Sequence, residues 1–98
     1  MRRRYLVAYD VADAKRLRHT YRAMHGFGDP VQYSIFLCEL SPVERQLMVA
    51  KLTALLNLAH DRVMIVDLGV VDGAHSAGIE VIGVPINSLR ADYGAVVV

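Results

Sequence analysis

Only two segments of this 98-residue chain have the periodicity of an amphipathic helix, and short apolar runs lie around them. The first helix is predicted after Asp13, a typical N-cap residue, and before Gly26, a typical stop. The second is predicted to begin after Ser41, with Pro42 at its first position and Glu44 placed to close a capping box. The apolar stripes of the two helices are Leu17, Tyr21 and Met24, then Leu47, Met48, Leu52, Leu55 and Leu56. Two helices cover only one face of a sheet, so this pattern strongly constrains the fold.

The other apolar runs predict strands. They are residues 5–9, 31–40, 63–68 and 79–82. The second run fits either one long strand or two pieces bent near Tyr33 and Ser34. Gly28, Asp29 and Pro30 are predicted to form a turn in front of it, because all three residue types favour turns.

The order of strand, helix, strand region, helix, strand and strand predicts an α+β fold. Two helices then pack on one face of a mostly antiparallel sheet, and the opposite face needs its own cover. With 54% of its residues apolar, the chain has enough material for a core and for a second apolar surface. We predict a homodimer, in which the apolar C-terminus at residues 96–98 adds a strand to a neighbouring sheet edge.

The formal net charge of +1 hides an uneven distribution. Residues 1–25 contain seven basic and two acidic residues, a balance of +5, whereas residues 26–98 contain four basic and eight acidic residues, a balance of −4. A basic segment of this kind favours an anionic partner such as nucleic acid.

The sequence gives no sign of export or of a membrane span. The residues Met1-Arg2-Arg3-Arg4 resemble the start of a signal peptide, but the apolar run behind them ends at Asp10 after five residues. A signal peptide needs about 7 to 15 apolar residues and a membrane helix about 20. Cys38 is the only cysteine, so it cannot form an intrachain disulfide. These features predict a soluble, cytoplasmic protein.

Asp10 is the first candidate for chemistry, because it follows a buried strand and lies close to a run of cations. Magnesium prefers oxygen ligands and often takes only one or two carboxylates from a protein. Dimerisation can also bring two copies of this residue together. The simpler interpretation is that Asp10 caps a turn or the helix start, and for Asp13 the N-cap role is the expected one.

Phosphate contacts are predicted for Arg16 and Arg18, with Arg2, Arg3 and Arg4 as further cations in front of the strand. The alternative is an ordinary solvated helix face. Tyr9 and Phe36 have side chains that can stack on bases, although an aromatic residue in a strand more often belongs to the core.

These residues lie in an order that resembles the small CRISPR-associated adaptation protein of the Cas-two family. The resemblance is carried by residues 9–13 (Tyr-Asp-Val-Ala-Asp), 15–18 (Lys-Arg-Leu-Arg) and 28–41, and it extends through 61–69 and 79–85.

The resemblance implies a single ferredoxin-like β-α-β-β-α-β domain over residues 1–98, with residues 31–40 split into two strands. It also implies an additional C-terminal strand, at about residues 84–98, that pairs with the partner protomer of a homodimer. Family members are described as Mg²⁺- or Mn²⁺-dependent nucleases acting on RNA or DNA, which makes the position of Asp10 a metal ligand. The resemblance also implies a role in substrate contact or cleavage for four positions, which are Tyr9, Arg16, Arg18 and Phe36.

The family is also described as a scaffold between two dimers of a Cas-one integrase, where it holds protospacer DNA during spacer insertion. Two departures favour that role over the nuclease. Pro30 stands where an arginine is common, and Ala14 stands where an acidic residue often precedes the Lys-Arg pair. Catalysis tolerates less loss of geometry than charge-driven docking does. A nuclease toxin of the same fold is a third hypothesis.

Overall fold

The computed structural model describes residues 1–71 and 79–85, in which two helices cover one face of a four-stranded sheet. The elements in chain order are β1 (Arg3–Asp10), α1 (Ala14–Met24), β2 (Gly28–Gln32), β3 (Ile35–Leu40), α2 (Pro42–Leu55) and β4 (Arg62–Val70). The sheet order is β2-β3-β1-β4, and each neighbouring pair is antiparallel. Two β-α-β units therefore interleave, which confirms the predicted α+β, ferredoxin-like arrangement.

The core lies between the sheet and the helices. Strand β1 presents Tyr5, Val7 and Tyr9 to this layer, because alternate side chains of a strand point to the same face. Phe36 and Met48 are fully buried there. The remaining members of the cluster are Met24, Cys38, Leu40, Leu52 and Leu56. Burying one such large side chain stabilises the fold by about 1.5–3 kcal/mol.

Both helices begin where the sequence predicts. The Asp13 carboxylate accepts a hydrogen bond from the backbone N–H of Arg16 at 2.9 Å. Ser41 and Glu44 form a capping box, with the hydroxyl accepting from the Glu44 N–H at 3.2 Å and the carboxylate accepting from the Ser41 N–H at 2.8 Å. Each cap satisfies backbone donors that the first helical turn leaves unpaired.

The predicted apolar stripe of α2 is only partly correct. Met48, Leu52 and Leu56 are buried, whereas Leu47 is 59% exposed and Leu55 is half-buried. The buried residues recur every four positions and so form one row along the helix. Leu47 directly precedes Met48, so its side chain is rotated by about 100° from that row.

Residues 31–40 divide at Tyr33 and Ser34 into a hairpin, in which Gln32 pairs with Ile35. The turn predicted at residues 28–30 is wrong, because these residues form the start of β2. Strand β2 is an edge strand, so Pro30 fits there without removing a central hydrogen bond. At Gly28 a Cβ would lie 2.6 Å from the sulfur of Cys38, and only glycine fits that close approach.

The predicted strand at residues 79–82 is not formed, since these residues belong to no helix or strand of the described chain. Residues 79–85 instead lie beside Leu6, Val31 and Ile35, and together they enclose a cavity of about 540 Å³. An isolated short apolar run becomes a strand only when a sheet edge pairs with it. Residues 86–98, which contain most of the predicted C-terminal strand, lie outside the described residues. No helix within the described ranges is long and apolar enough to span a membrane.

Candidate functional site

Asp10 lies at the carboxyl end of β1, where the sheet gives way to the loop before α1. Its backbone position pairs with Arg62 at the start of β4, and both side chains are exposed. Within the described ranges the Asp10 carboxylate has no hydrogen-bond or ion-pair partner. A carboxylate with no internal partner is available for a ligand, and Arg62 adds a neighbouring cation that the sequence analysis did not single out.

Asp61 lies under this loop and ties three segments of the chain together. Its carboxylate accepts the N–H of Ala12 and the N–H of Asn57, each at 2.9 Å. It also accepts two bonds from the guanidinium of Arg16, from Nε at 2.8 Å and from Nη2 at 3.0 Å. Bidentate pairing of this kind fixes geometry as well as charge. Asp61 therefore holds the loop that follows Asp10 against the start of α1 and the segment before β4.

The charge of Asp61 is well compensated in its buried position. Its side chain has no exposed surface, while that of Arg16 is 28% exposed. The hydrogen bonds from Arg16 hold the pKa of Asp61 well below its ordinary value, and the two backbone N–H groups lower it further, against a burial effect that would raise it. The same pairing raises the pKa of Arg16. Since burying an unpaired carboxylate is very costly, Asp61 depends on all these donors.

The two predicted phosphate-binding arginines of α1 have different environments. Arg16 already pairs with Asp61, whereas Arg18 is exposed and has no ion-pair partner in the described part of the chain. Arg18 is thus free to contact an anion, while Arg16 first serves to organise the loop. The phosphate-binding role of both residues stays a prediction.

Tyr9 and Phe36 belong to the core, with 4% and 0% of their surfaces exposed. The Tyr9 hydroxyl donates to the carbonyl oxygen of Tyr33 at 2.6 Å, and burial raises the pKa of Tyr9 above its ordinary value. Direct stacking on a base requires an accessible ring face, which neither residue offers in this conformation. Their predicted nucleic-acid contact stays a prediction.

Tyr33 is the exposed aromatic residue of this region. It lies at the β2–β3 turn, stacks on Tyr21 with ring centroids 4.4 Å apart, and is 46% exposed. The sequence pattern places Tyr33 only near a bend, because alternation alone does not distinguish a turn residue from a strand residue. The structure makes Tyr33 a better candidate for base stacking than Tyr9 or Phe36.

The donors near Asp10 limit what metal site a single chain can provide. The second nearby carboxylate, Asp13, caps α1, and its hydrogen bond from the Arg16 N–H lowers its pKa. Among residues 1–71 and 79–85, no three His, Cys, Asp or Glu side chains form a group that could hold a metal ion. Mg²⁺ commonly keeps several waters and takes one or two carboxylates. Asp10 fits that pattern as one carboxylate ligand, with the other positions left to water or to a second chain.

A comparison with known families agrees with these features of the chain. They are the order of the elements, the exposed aspartate at the end of β1 and the cations around it. Residues 1–71 match the model of a family described as CRISPR associated protein Cas2. The chain belongs to the Cas2 family. This is the same family that the sequence motifs resemble.

Several relatives carry the name CRISPR-associated endoribonuclease Cas2. A protein of Rhodospirillum rubrum is 43% identical over 66% of this chain and 64% of its own length, so the match spans somewhat less than two thirds of that relative. A Geobacter sulfurreducens protein is 40% identical over 66% of this chain and 68% of its own length. A Thermodesulfovibrio yellowstonii protein is 44% identical over 69% of this chain and 75% of its own length.

Solved structures support the same Cas2 fold. A hypothetical protein from Thermus thermophilus superposes with a TM-score of 0.73, is 31% identical, and the match covers 86% of this chain and 94% of that one. Streptococcus pyogenes Cas2 at pH 6.5 superposes with a TM-score of 0.69 and is 27% identical. The match covers 82% of this chain and 99% of that one.

Proposed function

We propose that this Cas2 protein works as a homodimer that binds nucleic acid in CRISPR adaptation and hydrolyses phosphodiester bonds of RNA or DNA with Mg²⁺ or Mn²⁺. The single observation that carries the hydrolytic part is the exposed carboxylate of Asp10 at the end of a buried strand, which has no internal partner among the described residues. The name endoribonuclease, given to its relatives, supports the same chemistry.

The residues around Asp10 have separate roles in the proposed reaction. The Asp10 carboxylate supplies a hard oxygen ligand, and Arg18 and Arg62 can orient the phosphate by contacts with its oxygens. A divalent ion bound there would lower the pKa of a water and offset charge on the phosphodiester. Asp61 and Arg16 keep the loop after Asp10 in place, so that the carboxylate is already positioned before substrate arrives.

The dimer is proposed from the face of the sheet that the helices do not cover. Residues 79–85 lie beside part of this face, next to Leu6. Leu6 and Ala8 of β1 lie opposite Val66 and Met64 of β4, toward the β4 edge. Val66 is 41% exposed and Met64 is 56% exposed. An apolar sheet surface of this kind is favourable only when it is covered, and a second copy of the chain has the same surface to offer.

Met64→Lys is expected to weaken self-association by at least about tenfold, because a charge replaces an apolar contact in the dimer seam. The control is Leu47→Lys, the same kind of change at a residue that is 59% exposed on α2. Light scattering across a dilution series measures the oligomeric state. A monomeric wild type, or equal weakening by the two variants, would show that the sheet face is not the interface.

The partner of this homodimer is proposed to be a Cas-one integrase, with protospacer DNA held on the dimer. The observation that favours this scaffold role is the small donor set near Asp10. Within residues 1–71 and 79–85 no three metal-ligating side chains come together, which is little for a dedicated nuclease. Docking of DNA needs only positive charge on the surface, which α1 provides.

Spacer acquisition in cells tests whether the chain acts as a scaffold or as an enzyme. Beside the integrase, Asp10→Asn is expected to support acquisition within about twofold of wild type, because docking depends on cations and on the dimer. Sequencing of newly added spacers gives the rate. Loss of acquisition by this variant, with DNA and integrase binding intact, would contradict the scaffold role and assign acquisition to the carboxylate.

A further inference from the structure

We infer that the outward face of α2 is a contact surface for the same face of a second copy of this chain. One side of the helix packs into the core through Met48, Leu52 and Leu56. A second apolar row lies on the opposite side, because its residues are rotated by about half a turn from the buried row. The members of this outward row are Val43, Leu47, Ala50 and Ala54. A helix that is apolar on two sides is typically covered on both.

Every residue of the outward row is exposed. Val43 is 64% exposed and Leu47 is 59% exposed, and both alanines are exposed as well. Spacings of four, three and four residues keep the row on one line along the helix. A single exposed apolar residue is ordinary, whereas a continuous apolar row indicates an interaction surface. Since the helices and the face proposed for the homodimer lie on opposite sides of the sheet, this surface is separate from that dimer.

The outward row is complementary in shape to a second copy of itself. In an antiparallel pair of α2 helices, the two-fold axis passes midway between Leu47 and Ala50. Leu47 then faces Ala50 of the other copy, and Val43 faces Ala54 of the other copy. Each layer joins a large side chain to a small one, which lets two helices pack closely without voids. A parallel pair would place alanine against alanine and leave gaps.

The charges beside the row are complementary in the same antiparallel arrangement. Glu44 and Lys51 lie on one flank of the row, and antiparallel pairing places Glu44 of each copy beside Lys51 of the other. Lys51 has no ion-pair partner in the described part of the chain. The hydrogen bonds to Glu44 from Arg2 and from the Ser41 N–H both end on Oε1, and none from the described residues reaches Oε2. A second copy therefore supplies the matching charge for both side chains.

The contact is expected to be weak. The outward row is about 17 Å long, and one helix face of that length buries less than the roughly 800 Å² per partner of a stable complex. The pairing also brings the basic faces of both α1 helices to one side, where they repel, although physiological salt screens charges over about 8 Å. We expect a dissociation constant between about 10 µM and 1 mM, so the contact joins homodimers only at high protein concentration.

Engineered cysteines test the register of this contact. The double variant Val43→Cys/Ala54→Cys is expected to form disulfide-linked pairs under mild oxidation with copper phenanthroline and dissolved oxygen. Within one chain the two positions are about 16 Å apart, and a disulfide needs Cα atoms within about 7 Å. The single variants Val43→Cys and Ala54→Cys are matched controls, because each position is also about 16 Å from its own copy along the paired helices. Cys38 is 1% exposed and so does not compete.

Sedimentation velocity between about 10 µM and 1 mM protein tests the association itself. Ala50→Glu is expected to weaken association beyond the homodimer at least about tenfold, because it places a charge against Leu47 of the other copy. The control is Ala59→Glu, the same change at an exposed alanine outside the helix. Leu47→Lys should keep the homodimer at low concentration and lose only this second contact. Melting temperatures equal to that of wild type show that the variants fold.

The possible results separate this contact from the proposed homodimer. Linking of the single cysteine variants as fast as the double variant would overturn the antiparallel register. Equal weakening by Ala50→Glu and Ala59→Glu, or no association beyond the homodimer at about 1 mM, would overturn the second copy as the occupant and leave the face to a different partner. Association that is lost in Met64→Lys but kept in Ala50→Glu would support the homodimer alone. Linking that persists in a Met64→Lys background, with the homodimer lost, would support the α2 contact independently.

Discussion

Asp10→Asn is expected to reduce metal-dependent cleavage of single-stranded RNA and duplex DNA at least about 100-fold, because metal assistance contributes several kcal/mol to stabilising the transition state. The substitution keeps the size of the side chain but removes the charge that would hold the ion. Since Asp10 is exposed and has no partner in the described residues, the melting temperature is expected to stay the same. Gel analysis of cleavage in Mg²⁺, Mn²⁺ and EDTA measures the effect.

Asp67→Asn is the matched control for this experiment. Asp67 is also an exposed aspartate of the sheet, and its position pairs with Tyr5, five residues along β1 from Asp10. The Asp67→Asn variant should cleave RNA and DNA as wild type does, because positions 67 and 10 are about 16 Å apart along the strand. Cleavage that persists in Asp10→Asn would come from another site or from a contaminating nuclease, and the proposed catalytic role would then be wrong.

Asp61→Asn is expected to lower the melting temperature at pH 7 by about 10 °C or more, because it leaves Arg16 and one part-buried backbone N–H without a full partner. An asparagine offers one acceptor oxygen where the carboxylate accepts four hydrogen bonds. Asp67→Asn breaks an exposed ion pair with Arg3, in which the two side chains are 42% and 48% exposed. That variant should change the melting temperature by no more than about 3 °C. Equal effects of the two variants would contradict the role assigned to Asp61.

The pH dependence follows from the direction of the pKa shift. The pKa of Asp61 lies below its ordinary value of 3.8 in the folded chain, so the unfolded chain binds a proton first. The stabilisation is therefore complete above about pH 5 and decreases as the pH falls below 3.8 toward the folded pKa. The difference in stability between wild type and Asp61→Asn should shrink over that acidic range. Thermal unfolding at a series of pH values measures it.

Sequence patterns predicted those parts of this molecule that neighbouring residues control. Helix starts depend on a cap within three residues, which is why Asp13 and Ser41 marked them correctly. The buried strand before Asp10 was equally clear from a short apolar run. The turn predicted at Gly28 was wrong, because glycine is required there for a close approach to Cys38 on the neighbouring strand. Sequence alone does not show that contact.

The candidate site shows the same division. The place of Asp10 at the exposed end of β1 could be predicted from sequence, since a carboxylate directly after an apolar strand is visible in the local pattern. Its metal-binding and catalytic roles stay predictions. Asp61 was missed, because its partner Arg16 lies 45 residues away and nothing near Asp61 in sequence indicates its burial. The different environments of Arg16 and Arg18 were missed for the same reason.

The sequence by itself determined the two helices, the α+β class, the excess of positive charge in residues 1–25 and the aspartate at the end of the first strand. Only the tertiary structure decided which of the described cations have no ion-pair partner, which aromatic rings are accessible and which face of the sheet the two helices do not cover. The physical reason is that charge pairing and burial depend on groups brought together by the fold. A pattern of neighbouring residues does not contain that information.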